Sequence, residues 1–225
     1  MRKENKSSVA VLGFWFAAIS TLVNILYLGV LIYNFSTFGL TFPPPEPTPT
    51  LAAISSILGA QLLIILMVIL RSDVEGPRKI FAELAIVFMA LLSAMTSANR
   101  FVYLSILPVI AEAGDTSAVA LLHSYSPTSF MWGLENLGWG FFFGLGALFA
   151  AFAFSRQENG LRWMFSISGI LSLLHAVGFI IRHPVLTLLG FPAWGIFLPV
   201  ATILLAIRFW RKMKVQRDFS VLSVG

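Results

Sequence analysis

The sequence predicts an all-α fold, a polytopic transmembrane helix bundle of six spans, and three observations carry the prediction. Of 225 residues, 58% are apolar and 11% charged, against about 45–50% and about 25% in a soluble domain. The mean hydropathy is +0.87. The apolar residues also gather in uncharged runs of about 20 residues or more, the length that crosses a hydrocarbon core about 30 Å thick. An ordinary soluble globule is excluded. The absence of cysteine removes disulfides, thiolate metal sites and cysteine nucleophiles together.

The elements follow in order within one membrane domain, 1–225. The first span is expected at about 9–35. Its basic start, Arg2, Lys3 and Lys6, resembles a signal peptide, but the apolar run outlasts a cleavable core, so it reads as a retained span. Phe42-Pro43-Pro44-Pro45-Glu46-Pro47 stops it, because proline lacks the N–H a helix needs. The second span, about 51–70, ends at a charged turn with Gly76-Pro77. The third covers about 80–107 and is closed by Pro108. Asp115 is placed to cap a short interfacial helix over 115–122. Spans at about 130–154, 163–182 and 192–210 complete the set, the last preceded by a re-entrant piece and started by Pro192 in its first turn. A basic tail, 208–225, is expected to lie against anionic lipid, each charge contributing about 1 kcal/mol.

Charge predicts the orientation. Six spans put both termini on one face, and thirteen of the fifteen Lys and Arg residues fall there. The opposite loops hold Glu46, Glu112 and Asp115. Cytoplasmic loops carry the basic excess, so the N- and C-termini are expected to be cytoplasmic. The net +5 then reports topology, and no nucleic-acid partner is expected, because a groove reader needs a soluble basic face. Trp163 and Trp210 are expected as anchors at the inner boundary and Trp132 and Trp194 at the outer one.

The chemistry lies in side chains that lipid tolerates poorly. An ionisable group inside a span costs roughly 2.5–3.5 kcal/mol and so faces the bundle interior, pairs, or lines water. Four qualify: Glu83, Arg100, Glu135 and His175. At a rise of about 1.5 Å per residue, Arg100, Glu135 and His175 all lie about 9–11 Å inside the outer ends of their spans. Ser93, Thr96, Ser97, Arg100 and Tyr103 recur at helical spacing. So do Ser168, Ser172, His175 and Arg182, and in the first span Ser20, Asn24, Tyr27 and Asn34. If the stripes face inward, they line an outward-facing polar pocket, with Gln61 at its floor.

Arg100 and Glu135 are expected to pair, since a guanidinium keeps its charge and its planar fork fits a carboxylate. The pair reads either as a structural pin or as the holder of an anionic or polar ligand. His175 reads as a packing residue or as a proton relay, and Glu83 as a partner for Arg78 or Lys79. Three dispersed histidines offer no metal-ligand spacing, so neither metal nor cofactor is expected. Gly140-Phe141-Phe142-Phe143-Gly144 is a GxxxG packing strip, directed within the bundle or at a second copy.

The segments Asn99-Arg100-Phe101-Val102-Tyr103, Leu121-Leu122-His123-Ser124-Tyr125-Ser126-Pro127 and Gly133-Leu134-Glu135-Asn136-Leu137-Gly138-Trp139 resemble a pattern in uncharacterised bacterial six-span integral membrane proteins. The resemblance covers about residues 90–155 and implies a bacterial inner-membrane protein with no assigned activity.

Three functions remain open at this point. The first is binding or transport of a small polar or amphipathic molecule, with Arg100, Glu135, His175, Tyr103, Asn24 and Gln61 as ligand-binding residues. The second is an intramembrane enzyme acting on lipid through Glu135 or His175. The third is a structural or assembly subunit using Gly140 and Gly144 against a second copy or a membrane-complex partner. Membrane lipid is a partner in each.

Overall fold

The computed structural model describes residues 2–39 and 45–222, with side chains over 8–39 and 45–216. The start of the proline loop, the first three basic residues and Arg217 lie outside the described side chains. Among the described residues every element is helical, and six segments are long and apolar enough to cross a membrane: Ser8–Phe38, Thr48–Asp73, Gly76–Glu112, Phe130–Ala153, Arg156–Ile180 and Pro184–Gln216. These are the features of a multi-pass membrane protein.

Each span packs on its neighbours in sequence, and the sixth returns to the first, which closes a ring. The face carrying both chain ends is here the terminal face and the other the loop face. The bundle is apolar outside as well as inside. Large apolar side chains such as Leu22, Ile32, Phe101 and Ile180 point outward, where acyl chains replace water as solvent. Towards the terminal face the interior is filled by Leu63, Leu66, Met67, Met89, Phe143, Phe154, Phe165 and Phe209. A smaller cluster of Ala52, Ala53, Tyr103, Leu107 and Tyr125 closes the loop face. Between the two clusters run buried polar residues, among them Thr96, Asn99, Arg100 and Asn136.

Three spans contain π-helical turns: Val102–Ile106 in the third, Leu137–Phe142 in the fourth and Ala193–Phe197 in the sixth. A π turn adds one residue to the ladder and rotates everything beyond it. The first of them explains why span three runs past Pro108 to Glu112 and does not end there. The Leu107 N–H bonds to Val102 O, five residues back. Pro108 therefore falls where the ladder changes register, and its missing N–H removes no regular bond. The sixth span is broken as the prolines suggest. A short helix, Pro184–Leu188, leads through Gly190–Pro192 and the π turn into the long helix Leu198–Leu222. The short helix Thr116–Leu122 is capped by Asp115, whose Oδ1 accepts the Ala118 N–H at 3.0 Å.

Candidate functional site

Span three delivers Arg100 and span four delivers Glu135, one helix away in the ring. Span four is started by Ser129, whose hydroxyl accepts the Trp132 N–H at 3.0 Å and donates to His123 O at 2.7 Å. That cap fixes where the helix begins and so the level of Glu135, six residues on. Arg100 Nη2 then lies 2.5 Å from Glu135 Oε1.

The pair is held on three sides. Asn99 donates through Nδ2 to Met131 O at 2.7 Å and to Glu135 Oε2 at 3.1 Å. Its own Oδ1 accepts the Ser124 hydroxyl at 2.5 Å. The Tyr125 ring lies under the guanidinium, with Arg100 Cζ 4.4 Å from the ring centroid, and its hydroxyl donates to Pro49 O at 3.1 Å. Tyr27 from span one is within electrostatic reach of both charges. Nearer the loop face, Tyr103 packs edge-on against Tyr125 and His123 and donates to Glu46 Oε1 at 2.8 Å. Burial holds the Tyr125 hydroxyl above the ordinary tyrosine range and the His123 imidazole below its own.

Arg100 keeps N–H groups that no described acceptor meets. A guanidinium carries five N–H groups, yet Arg100 Nε and Nη1 are buried with no partner. Thr96 lies one turn and Ser93 two turns from Arg100 along span three, and their hydroxyls, like Asn24 Nδ2 of span one, are also buried and unpartnered. The two charged side chains differ in access: 2% of Arg100 is exposed and 12% of Glu135.

His175 does not join this network. Its Nδ1 lies 2.5 Å from Thr187 O and its Nε2 2.6 Å from Asn136 Oδ1. Asn136 is fixed in turn by donating to Trp132 O at 2.7 Å, so turning its amide round would set two oxygens face to face. Glu135 and Asn136 are consecutive, which places His175 at the level of the ion pair but on the other flank of span four. The span-five stripe is used to dock the broken helix. Ser168 donates to Ala193 O at 2.8 Å, and Ser172 accepts the Trp194 indole N–H at 2.9 Å. Trp194 also contacts the His175 ring edge-on at 4.8 Å, so it is an internal bracket and not a boundary anchor. Trp163 and Trp210 are exposed.

Other expected positions resolve as follows. Gln61 is exposed on the outside of the ring and donates to Ser97 at 3.0 Å, away from the ion pair. Glu83 pairs with Arg71 of span two at 2.6 Å, not with Arg78 or Lys79. Gly140 and Gly144 face span five, where an added Cβ would stand 2.9 Å from Ala176 Cβ and 2.8 Å from Leu173 Cγ. Arg208 of the tail bonds Asp73 at 2.5 Å and also Glu158, and Lys212 bonds Asp73 at 2.6 Å. These two cations therefore tie helices together and are not free for lipid.

Asn99, Ser124 and Tyr125 are the residues of these networks that helical spacing does not select, while Asn136 reads as part of the small strip with Gly140 and Gly144 and Trp194 as an outer anchor. Asn99 sits beside Arg100, one position off the helical period of its stripe. A polar neighbour next to a buried charge was the available signal. No protein-family model, no curated protein and no solved structure matches this chain.

Proposed function

We propose that this multi-pass protein binds, and in its cellular setting passes, a small polar or amphipathic molecule at the Arg100–Glu135 layer, entered from the loop face. The observation that carries the reading is the surplus of buried donors around Arg100. A buried donor without an acceptor costs about 1–3 kcal/mol, more when charged. An ion pair needs only the facing atoms of its two members, and the further N–H groups of Arg100 supply donors for the oxygen of a guest. Glu135 and Arg100 set the charge of the site, Asn24 and Thr96 supply hydrogen bonds, and Tyr27, Tyr103 and Tyr125 form its aromatic wall. The basic terminal face is read as cytoplasmic by the distribution of Lys and Arg, which makes the loop face external, and the resemblance over about residues 90–155 supports a bacterial inner membrane as the setting.

The test is thermal stabilisation of the purified full chain by a panel of small carboxylates, phosphomonoesters, amides and amines. One or more should raise the melting temperature of the wild type. The Arg100→Gln, Glu135→Gln double variant should fold and show no such rise. Equal stabilisation of the double variant, or no response to any member of the panel, would sink the reading.

A further inference from the structure

Resting on that binding reading, we propose that the guest is a monoanionic oxyanion and that it enters together with one proton, which is taken by Glu135. The class of guest follows from the orphan atoms. Arg100 Nε and Nη1 are buried, unpartnered and can only donate, and the Thr96 hydroxyl, one turn away along span three, is free to donate as well. Both Glu135 oxygens already accept, Oε1 from Arg100 and Oε2 from Asn99. A carboxylate or phosphodiester oxygen is what such donors receive.

The proton follows from charge. Arg100 and Glu135 sum to zero, in a layer between two apolar clusters. A bare anion would leave one net negative charge there, which low-dielectric surroundings oppose strongly. If the anion moves onto Arg100 while Glu135 Oε1, released by the guanidinium, takes a proton from solution, the site stays neutral. One anion and one proton enter, and no other bond changes. Of the two, only Glu135 can change its charge by taking a proton, since the guanidinium is already fully protonated. The groups facing it are Arg100 and Asn99 of span three, Tyr27 of span one, and Ser124 and Tyr125 of the connecting segment, with Tyr103, Glu46 and His123 beyond them. From span five, His175 engages Asn136 on the opposite flank. Glu135 is thus the carboxylate in direct contact with Arg100.

Titration calorimetry on the full chain with formate, acetate, benzoate and dimethyl phosphate, each in two buffers of different ionisation enthalpy, counts the protons. Near pH 6 about one proton should be taken up per anion bound, and affinity should fall about tenfold for each unit that pH rises. Glu135→Gln should bind the same anion with no proton uptake and no pH dependence, and can be purified in its presence if it needs the anion to fold. Benzamide, the neutral analogue of benzoate, should bind at least tenfold more weakly. Anion binding with no proton uptake by the wild type overturns the coupling, and a preference for benzamide overturns the anionic class. Both of those results leave the binding reading standing. Failure of all four anions while an amine or amide stabilises the wild type likewise overturns only the present inference.

Discussion

A guanidinium keeps its charge in any solvent, whereas a carboxylate can be neutralised by a proton, and the two halves of the buried pair should therefore respond unequally to mutation. Glu135→Gln strands Arg100, whose side chain is almost fully enclosed, and should cost about 3–5 kcal/mol, the usual penalty for orphaning a buried charge. Arg100→Gln leaves a carboxyl that protonates, so its cost should be smaller. The double Gln variant should recover most of the loss. Denaturant unfolding of the three variants checks the order, and a double variant as unstable as Glu135→Gln alone would show that packing and not charge sets the cost. His123 makes a second residue-scale prediction. Its Nδ1 accepts the Tyr125 N–H at 3.2 Å, a bond only the unprotonated nitrogen can make, and burial lowers its affinity for protons in the folded chain. Its contribution is present above the unfolded value, about 6.5, and is lost as pH falls below it towards the folded value. His123→Asn keeps an acceptor for the same N–H and cannot titrate. The melting temperature of the variant should accordingly fall less than that of the wild type between pH 7 and pH 5.

Among the elements, the informative contrast is between span four, which meets span five through small residues, and span six, which meets it through a break. An added Cβ at Gly144 would reach Leu173 at 2.8 Å and one at Gly178 would reach Leu186 Cβ at 2.4 Å and the Thr187 nitrogen at 2.6 Å. Gly144→Leu should destabilise the bundle by about 1–3 kcal/mol, the range for overpacking, with a lowered melting temperature and no change in oligomeric state. Gly178→Ala meets backbone, which cannot swing aside, so it should lift the Pro184–Leu188 helix off span five. Hydrogen exchange should then rise selectively over 184–190. His175→Ala should raise exchange over the same segment by removing the bond to Thr187 O. How far each element was legible follows from the same physics. The six spans were readable because a hydrocarbon core imposes length and apolarity on any helix that crosses it, and the Arg100–Glu135 contact because a charge there demands a partner. The π turns were not, since one extra residue in the ladder leaves hydropathy unchanged. The fate of His175 was not either: spacing tells which side chains share a face of span five, but nothing about which helix that face meets. The broken sixth span took up that stripe, so the common pocket expected for Arg100, Glu135 and His175 divides into two networks back to back on span four.

At the scale of the whole molecule, charge fastens the ring at both ends and apolar side chains fill the length between. Towards the loop face the Arg100–Glu135 pair joins spans three and four. On the terminal face Arg208 and Lys212 bind Asp73 and Arg208 also binds Glu158, joining spans two, five and six, with the Arg208 guanidinium resting over Phe154 and Phe209. A protein that exposes an internal layer to one side at a time must be able to release one fastening while the other holds. The two sets share no residue, and the cluster of Leu63, Met67, Met89, Phe143 and Phe165 stands between them, so their coupling should be weak. The absence of native cysteine allows the point to be measured with single reporters at small, fully buried positions, Ala153→Cys near the terminal face and Ala53→Cys near the loop face, both 0% exposed. Neither should react with a membrane-impermeant maleimide in an otherwise unaltered chain. Asp73→Asn with Glu158→Gln should raise labelling at position 153 at least several-fold and leave position 53 silent. Arg100→Gln with Glu135→Gln should do the reverse. If either charge change exposed both reporters together, the bundle would be loosening as a unit, and two independently released ends would no longer describe it.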